Sequence, residues 1–174
     1  WGSDVCLSVR SGGGWSTDGD ELDLAGVRFP HVSNITDLDP LRAEPGIAVR
    51  LVSRPSELGN PDLVVLPGTK STVHDLAWFR SSGLDAAVRD SSATILGICG
   101  GYQMLGTRIV DDVESRAGEV AGLGLLAVET VFHAEKVVLR RGHGFESRHG
   151  VVNDDELMTY AARVLGPSRP SIFP

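Results

Sequence analysis

The chain has 174 residues, of which 41% are hydrophobic, 22% are charged and 6% are aromatic. This composition is typical of one soluble globular domain and excludes a disordered, fibrous or membrane-embedded chain. The segment 1–16 lacks the basic and apolar parts of a signal peptide, so we expect a cytoplasmic location. The 16 basic and 23 acidic residues give a net charge of −7, which argues against binding to nucleic acid or to an anionic membrane.

The first 20 residues are rich in Gly, Ser and Asp, which predicts a linker or disordered tail over 1–20 and a domain over 21–174. Within the domain, apolar β-type runs alternate with helical stretches. This order predicts an open, doubly wound α/β fold with a mostly parallel sheet covered on both faces. The predicted strands are 24–29, 49–52, 63–66 and 94–98, and the predicted helices are 34–43 and 71–89.

The pattern changes after Gly101, where a helical stretch over 102–110 is followed by β-branched, apolar segments. We predict these segments as later strands, in an antiparallel extension, and a final amphipathic helix before Gly166 and Pro167. The predicted strands are 123–132 and 136–140, and the final helix is 154–165.

Cys99 lies between an apolar strand pattern and a helical pattern, which is the arrangement of a nucleophile elbow with Cys in place of Ser. We expect Gly97 and Gly101 to be required there, because a side chain would collide with the neighbouring strand or helix. The start of the following helix favours the thiolate, and the Gly100 N–H group would face an oxyanion. The alternative is a buried cysteine in a tight turn. Cys6 and Cys99 are far apart and lack a Cys-x-x-Cys pattern, so we predict neither a disulfide framework nor a zinc site.

The loop 67–72 follows the predicted strand 63–66 and leaves the sheet at the same edge as the Cys99 turn. Gly68 in this loop can present a second backbone N–H group to an oxyanion. The loop differs from a phosphate-binding loop, because no glycine directly precedes Lys70. We therefore exclude nucleotide binding at this position.

Several motifs in a fixed order resemble the glutaminase domains of the cobyric acid synthase family, which are class I glutamine amidotransferases of cobalamin biosynthesis. The resemblance covers residues 23–136 and implies a flavodoxin-like α/β domain. The segments that carry it are 28–37 (RFPHVSNITD), 66–78 (LPGTKSTVHDLAW), 97–106 (GICGGYQMLG) and 122–130 (GLGLLAVET).

The resemblance implies that Cys99 attacks the side-chain amide of glutamine, releases ammonia and leaves a γ-glutamyl thioester that water hydrolyses. It also implies that Gln103 lines the glutamine pocket and that Gly68 and Gly100 form the oxyanion hole. The alternatives are a helix-surface glutamine and simple turn glycines. No cofactor is implied in this chain. ATP and Mg²⁺ are expected only in a partner synthetase domain or subunit that holds a corrinoid substrate and receives the ammonia.

The general base is the part of the pattern that departs from the family. In the family, the catalytic histidine belongs to a late Gly-Thr-Tyr-x-His-Gly motif, and this sequence lacks that motif. Residues 144–150 resemble a different motif of the family, Gly-Tyr-Glu-Ile-x-His-Gly, which comes earlier in the chain. Either His149 serves as the base, or the segment after Lys136 is divergent or truncated and the fold lacks a working triad. The remaining histidines that we weighed are interpreted as solvated or capping residues: His31, His74 and His133.

Our main hypothesis is a glutaminase domain that supplies ammonia for ATP-dependent amidation of corrinoid carboxylates. One alternative is a glutaminase partner for amidation of a cell-wall precursor, since segment 97–103 is shared among related amidotransferases. Another is a catalytically impaired docking domain, which the missing late motif favours and the intact glycine-flanked turn opposes. Segments 67–78 and 122–130 favour the corrinoid branch.

Overall fold

A computed structural model describes residues 5–8, 21–33, 38–141 and 144–153, which form two sheets, four α-helices and a 3₁₀ helix (Pro55–Glu57). The first sheet has the strand order β1-β5-β4-β2-β3. Strands β2 to β5 are parallel to one another, and β1 pairs antiparallel with β5. The strands of this sheet are β1 (Val5–Ser8), β2 (Leu22–Val27), β3 (Ile47–Val52), β4 (Leu63–Leu66) and β5 (Thr94–Ile98).

The helices lie between or after these strands, and the order of the parallel strands confirms the flavodoxin-like α/β fold. They are α1 (Asp39–Arg42), α2 (Thr72–Ser81), α3 (Leu84–Asp90) and α4 (Gly100–Leu105). The single helix predicted over 71–89 is wrong, because α2 and α3 are separate. Gly83 between them has a φ of +73°, which is a left-handed conformation that ends a helix.

The side chains of the central strands alternate between two apolar clusters, as expected for a sheet buried on both faces. The smaller cluster lies beside α1, and the larger one includes residues of α2, α3 and α4. Members of the smaller cluster are Leu24, Leu38, Val65, Leu96 and Ile98. Members of the larger cluster include Ala25, Val64, Ile95, Leu76, Phe79, Leu84 and Met104. This arrangement confirms the prediction of a sheet that is covered on both faces.

The second sheet has the order β7-β6-β8-β9, with β6 and β8 parallel and the other pairs antiparallel. The extension is therefore mixed rather than wholly antiparallel. Its strands are β6 (Arg108–Asp111), β7 (Gly118–Ala121), β8 (Glu129–Arg141) and β9 (Gly144–Asn153).

Two sequence predictions in this part of the chain are wrong. The helix predicted over 102–110 ends at Leu105, and β6 begins at Arg108. A strand was predicted over 123–132, but β8 begins only at Glu129. The loop before it forms hydrogen bonds with the end of α4 instead of pairing in the sheet. In that loop the N–H groups of Leu123 and Leu125 donate to carbonyl groups of Met104 and Leu105, which satisfies carbonyls left free at the end of α4.

Strand β1 lies within the segment for which the sequence predicted a linker. Other predictions fall outside the described residues: the helix over 154–165, and positions 34–37 of the helix over 34–43. Within the described ranges, no helix combines the length and the apolar character needed to span a bilayer.

Candidate active site

The loops after β2 and β4 meet at the carboxyl edge of the first sheet. After β2 the chain passes to β3 on one side, and it then returns to β4 on the other side. The Ser33 N–H group donates to the Gly68 carbonyl at 2.8 Å, and Val32 forms an antiparallel bridge with Thr69. A reversal of strand order of this kind creates the usual binding crevice of an open α/β sheet.

Cys99 occupies the turn between β5 and α4 beside this crevice. Its φ of 50° and ψ of −112° are rare for a residue with a side chain, and such conformations are concentrated at functional sites. Its side chain is exposed. The alternative of a buried cysteine is therefore wrong.

Gly97 and Gly101 fix the shape of the Cys99 turn. A Cβ atom added to Gly97 would lie 2.6 Å from Tyr102 Cα in α4, and one added to Gly101 would lie 2.1 Å from the Leu66 carbonyl oxygen in β4. Both distances are far shorter than a van der Waals contact. The predicted steric requirement for glycine on both sides of Cys99 is thus confirmed.

Gly68 and Gly100 are the two predicted oxyanion donors, and the structure brings them to the same place. A Cβ atom on Gly68 would lie 3.6 Å from Cys99 Cβ, and one on Gly100 would lie 2.7 Å from Thr69 Cγ2. The loops after β4 and β5 are therefore in direct contact around Cys99. The role of the Gly68 and Gly100 N–H groups as oxyanion donors stays a prediction.

Gln103 lies in α4, one turn after Cys99, and its N–H group donates to the Cys99 carbonyl at 3.1 Å. Its side chain is buried, and Gln103 Oε1 accepts a hydrogen bond of 3.2 Å from the Thr72 hydroxyl. The alternative of a helix-surface glutamine is therefore wrong. The role of Gln103 in a glutamine pocket stays a prediction. The sequence pattern alone did not indicate that Thr72 is a partner of this residue.

His149 lies on β9 in the second sheet, between two stretches of the β8–β9 ladder. The side chain of His149 is outside the described part of the chain. Its role as the general base stays a prediction.

His31 has a specific partner that the sequence analysis missed. Its Nδ1 atom lies 2.8 Å from Asp75 Oδ1, and the Asp75 side chain is fully buried. The available signal was topological: His31 follows β2 and Asp75 lies in the first turn after β4, at the same sheet edge. His74 and His133 are exposed, in agreement with the prediction of solvated side chains.

The residues that the structure describes contain no group of three or more His, Cys, Asp or Glu side chains able to hold a metal ion. What they place at the crevice is a thiol, two glycine-containing turns, a buried glutamine and a histidine–carboxylate pair. This set has the composition of a cysteine-nucleophile site for an amide or ester substrate.

The fold and this site define a class, the glutamine amidotransferase domains with a cysteine in a strand–turn–helix motif. Residues 23–166 match the CobB/CobQ-like glutamine amidotransferase domain, and the chain belongs to that family. It is 54% identical over 147 residues to the cobyric acid synthase of Frankia casuarinae, covering 78% of this chain and 28% of that protein.

Similar proteins from other bacteria carry the same name. The chain is 55% identical to the cobyric acid synthase of Nocardia farcinica over 75% of its own length and 27% of the relative. It is 47% identical to that of Yersinia enterocolitica over 77% of its own length and 27% of the relative. The chain therefore spans less than a third of the length of these curated relatives.

Proposed function

We propose that this chain hydrolyses glutamine to glutamate and ammonia with Cys99 as the nucleophile. The observation that carries the proposal is an exposed thiol in a strained turn whose flanking glycines, Gly97 and Gly101, tolerate no side chain. A protein retains such a turn at a cost in stability, and presenting a nucleophile above the sheet edge explains that cost.

In the proposed reaction, the Cys99 sulfur forms a bond to the side-chain amide carbon of glutamine. The amide N–H groups of Gly68 and Gly100 stabilise the oxyanion of the tetrahedral intermediate. The C–N bond then breaks, and the nitrogen takes up a proton and leaves as ammonia. Water attacks the resulting thioester, which releases glutamate and returns the thiol.

His149 is the candidate that moves the proton between the thiol and the leaving nitrogen. A neutral imidazole is the side chain best suited to this task near neutral pH. Gln103 is proposed to bind glutamine through its amide nitrogen, since Thr72 already holds its oxygen.

We further propose that the ammonia is used by a synthetase part that amidates corrinoid carboxylates. Support comes from similar proteins, which are named cobyric acid synthase and are more than three times as long as the matched region. We assign ATP and Mg²⁺ to that synthetase part, because the loop after β4 departs from the phosphate-loop pattern at the position before Lys70.

The decisive experiment is alkylation by the chloroketone analogue of glutamine, followed by intact-protein mass spectrometry. We expect one adduct per chain, formed as the thiolate displaces chloride, and none in Cys99→Ala. Protection by added glutamine would show that the reagent occupies the glutamine pocket. If a folded sample gives no adduct, the glutaminase proposal fails and the docking alternative is favoured.

Hydrolysis itself is measured as glutamate release, with His149→Ala as the variant that tests the base. We expect His149→Ala still to form the Cys99 adduct, at a reduced rate because the thiol loses its base, while glutamate release falls on the order of a hundredfold. Equal glutamate release by both proteins would remove His149 from the mechanism.

A further inference from the structure

His31, Thr69 and Asp75 form a hydrogen-bonded cluster beside the Cys99 turn. Asp75 Oδ1 lies 2.8 Å from His31 Nδ1, and Asp75 Oδ2 accepts from the Thr69 hydroxyl at 2.5 Å. The His31 backbone N–H group donates to both carboxylate oxygens at 3.2 and 3.3 Å. A fully buried carboxylate needs such donors, because burial without them costs several kcal/mol.

The cluster joins three segments that the sequence separates. His31 follows β2, Thr69 follows β4, and Asp75 lies in the first turn of α2. The Asp75 backbone N–H group donates to the Ser71 carbonyl at 2.9 Å, so the carboxylate is anchored on a regular helix. Its side chain therefore acts as a fixed point to which both loops are attached.

The two loops are also tied to each other on either side of Thr69. The Lys70 N–H group donates to the His31 carbonyl at 2.9 Å, and the Ser33 N–H group donates to the Gly68 carbonyl at 2.8 Å. The backbone on both sides of Thr69, including Gly68, is therefore held by the loop that contains His31. A Cβ atom added to the same glycine would lie 3.6 Å from Cys99 Cβ, so the Gly68 backbone lies close to the nucleophile.

We propose that His31 and Asp75 are positioning residues that hold the loop after β4, and with it the Gly68 N–H group, at its working distance from Cys99. This inference rests on the proposed function of Gly68 as an oxyanion donor. Neither side chain needs to touch glutamine. Their contribution arises because a backbone donor displaced by about 1 Å loses much of its effect on the transition state.

The His31 side chain is 56% exposed, and Asp75 keeps the Thr69 hydroxyl and the His31 backbone N–H group as donors when the imidazole is removed, so we expect the His31 variants to fold. His31→Leu removes the Nδ1 donor to Asp75. His31→Asn restores a donor close to the Nδ1 position and lacks an imidazole. His74→Leu is the matched control, because His74 is an exposed histidine on α2 whose Nδ1 lies 2.8 Å from the Ser71 hydroxyl.

The first readout is the alkylation of Cys99 by the chloroketone, separated into its maximal rate and its half-saturating concentration. We expect His31→Leu to lower the maximal rate on the order of tenfold with little change in half-saturation. His31→Asn and His74→Leu should stay within about threefold of the parent protein. If His31→Asn is as slow as His31→Leu, the imidazole itself is required and the positioning role is wrong.

The second readout is hydrogen exchange of the amides at 68–70, which requires no activity. Positioning predicts faster exchange there in His31→Leu, with unchanged exchange in α3, and recovery in His31→Asn. Unchanged exchange in the loop would overturn the inference even if Cys99 is alkylated. Faster exchange in a protein that is never alkylated would support the positioning role of His31 and Asp75 while removing the glutaminase proposal, so the two failures are distinguishable.

Discussion

The Thr72 hydroxyl donates a hydrogen bond of 3.2 Å to Gln103 Oε1, and this buried bond joins α2 to α4. We expect Thr72→Val, which keeps the shape and removes the donor, to destabilise the fold by about 1 to 3 kcal/mol, because the buried amide oxygen loses its partner. Urea unfolding measures this loss.

Thr72→Ser is the control for that change, because serine retains the hydroxyl group. We expect its stability to lie much closer to that of the parent protein. Thr72→Val should also weaken protection of Cys99 by glutamine, since Gln103 is then free to rotate. If glutamine protects Cys99 from alkylation equally well in both variants, Gln103 does not line the glutamine pocket.

Gly101 in α4 and Gly68 in the loop after β4 should respond very differently to alanine. A Cβ atom on Gly101 meets the Leu66 carbonyl at 2.1 Å, whereas one on Gly68 has its nearest neighbour at 3.6 Å. We expect Gly101→Ala to cost about 3 kcal/mol or to prevent folding, because the obstacle is backbone. Gly68→Ala should stay within about 0.5 kcal/mol of the parent protein. Thermal melts of the two purified variants, compared at one concentration, test the difference.

The backbone conformation of Cys99 predicts that glycine at position 99 gives a more stable fold than a residue with a side chain. Glycine adopts a φ of 50° and a ψ of −112° without the steric cost borne by other residues. We expect Cys99→Gly to be more stable than Cys99→Ala by about 1 kcal/mol, after the larger unfolded-state entropy of glycine is counted. Chemical denaturation of the pair measures this value. An alanine variant as stable as the glycine variant would show that the turn is unstrained.

Asp111, at the end of β6, makes the stability of the fold depend on pH in the acid range. Burial by itself raises the pKa of Asp111, but hydrogen bonds from the Ser115 hydroxyl and from the backbone N–H groups of Ser115, Glu114 and Val113 outweigh burial and lower it. A carboxyl with a lowered pKa in the folded state stabilises the protein above its unfolded pKa of about 3.9. That contribution is lost as the pH falls through the folded pKa.

The measurement is the free energy of unfolding of Asp111→Asn against pH. At neutral pH we expect a loss of about 2 kcal/mol relative to the parent protein. The difference in the free energy of unfolding between the two proteins should shrink as the pH falls below about 4. Asp112→Asn, which changes the exposed neighbouring carboxyl, should show no such trend. A gap of constant size across the acid range would mean that the charge of Asp111 contributes nothing.

The elements that were predicted correctly are those that depend on the order of apolar and turn-forming residues within a short segment. The strand bounds of Leu63–Leu66 and Thr94–Ile98 were predicted as observed, because both segments are apolar throughout and end at Pro or Cys-Gly-Gly. The steric role of Gly97 and Gly101 was also accessible, since it follows from a sharp turn between a strand and a helix.

The features that were missed depend on contacts between distant segments. His31 and Asp75 are 44 positions apart, and only the strand order brings them together. Strand β6 was missed for a different reason. Its apolar residues Ile109 and Val110 follow the buried helix α4 closely enough to be predicted as its continuation, and the pairing with β7 and β8 makes them a strand instead.

Strand β1 has a consequence for how the protein tolerates truncation. It pairs with β5 along residues 95–98, so it supplies one side of the strand that ends at Cys99. Removing it would turn β5 from an interior strand into the border of the sheet, with a row of unsatisfied amide and carbonyl groups. Borders of that kind recruit strands from other molecules. A variant lacking residues 1–8 should therefore self-associate as its concentration rises, and the partner strand would lie directly beside the nucleophile.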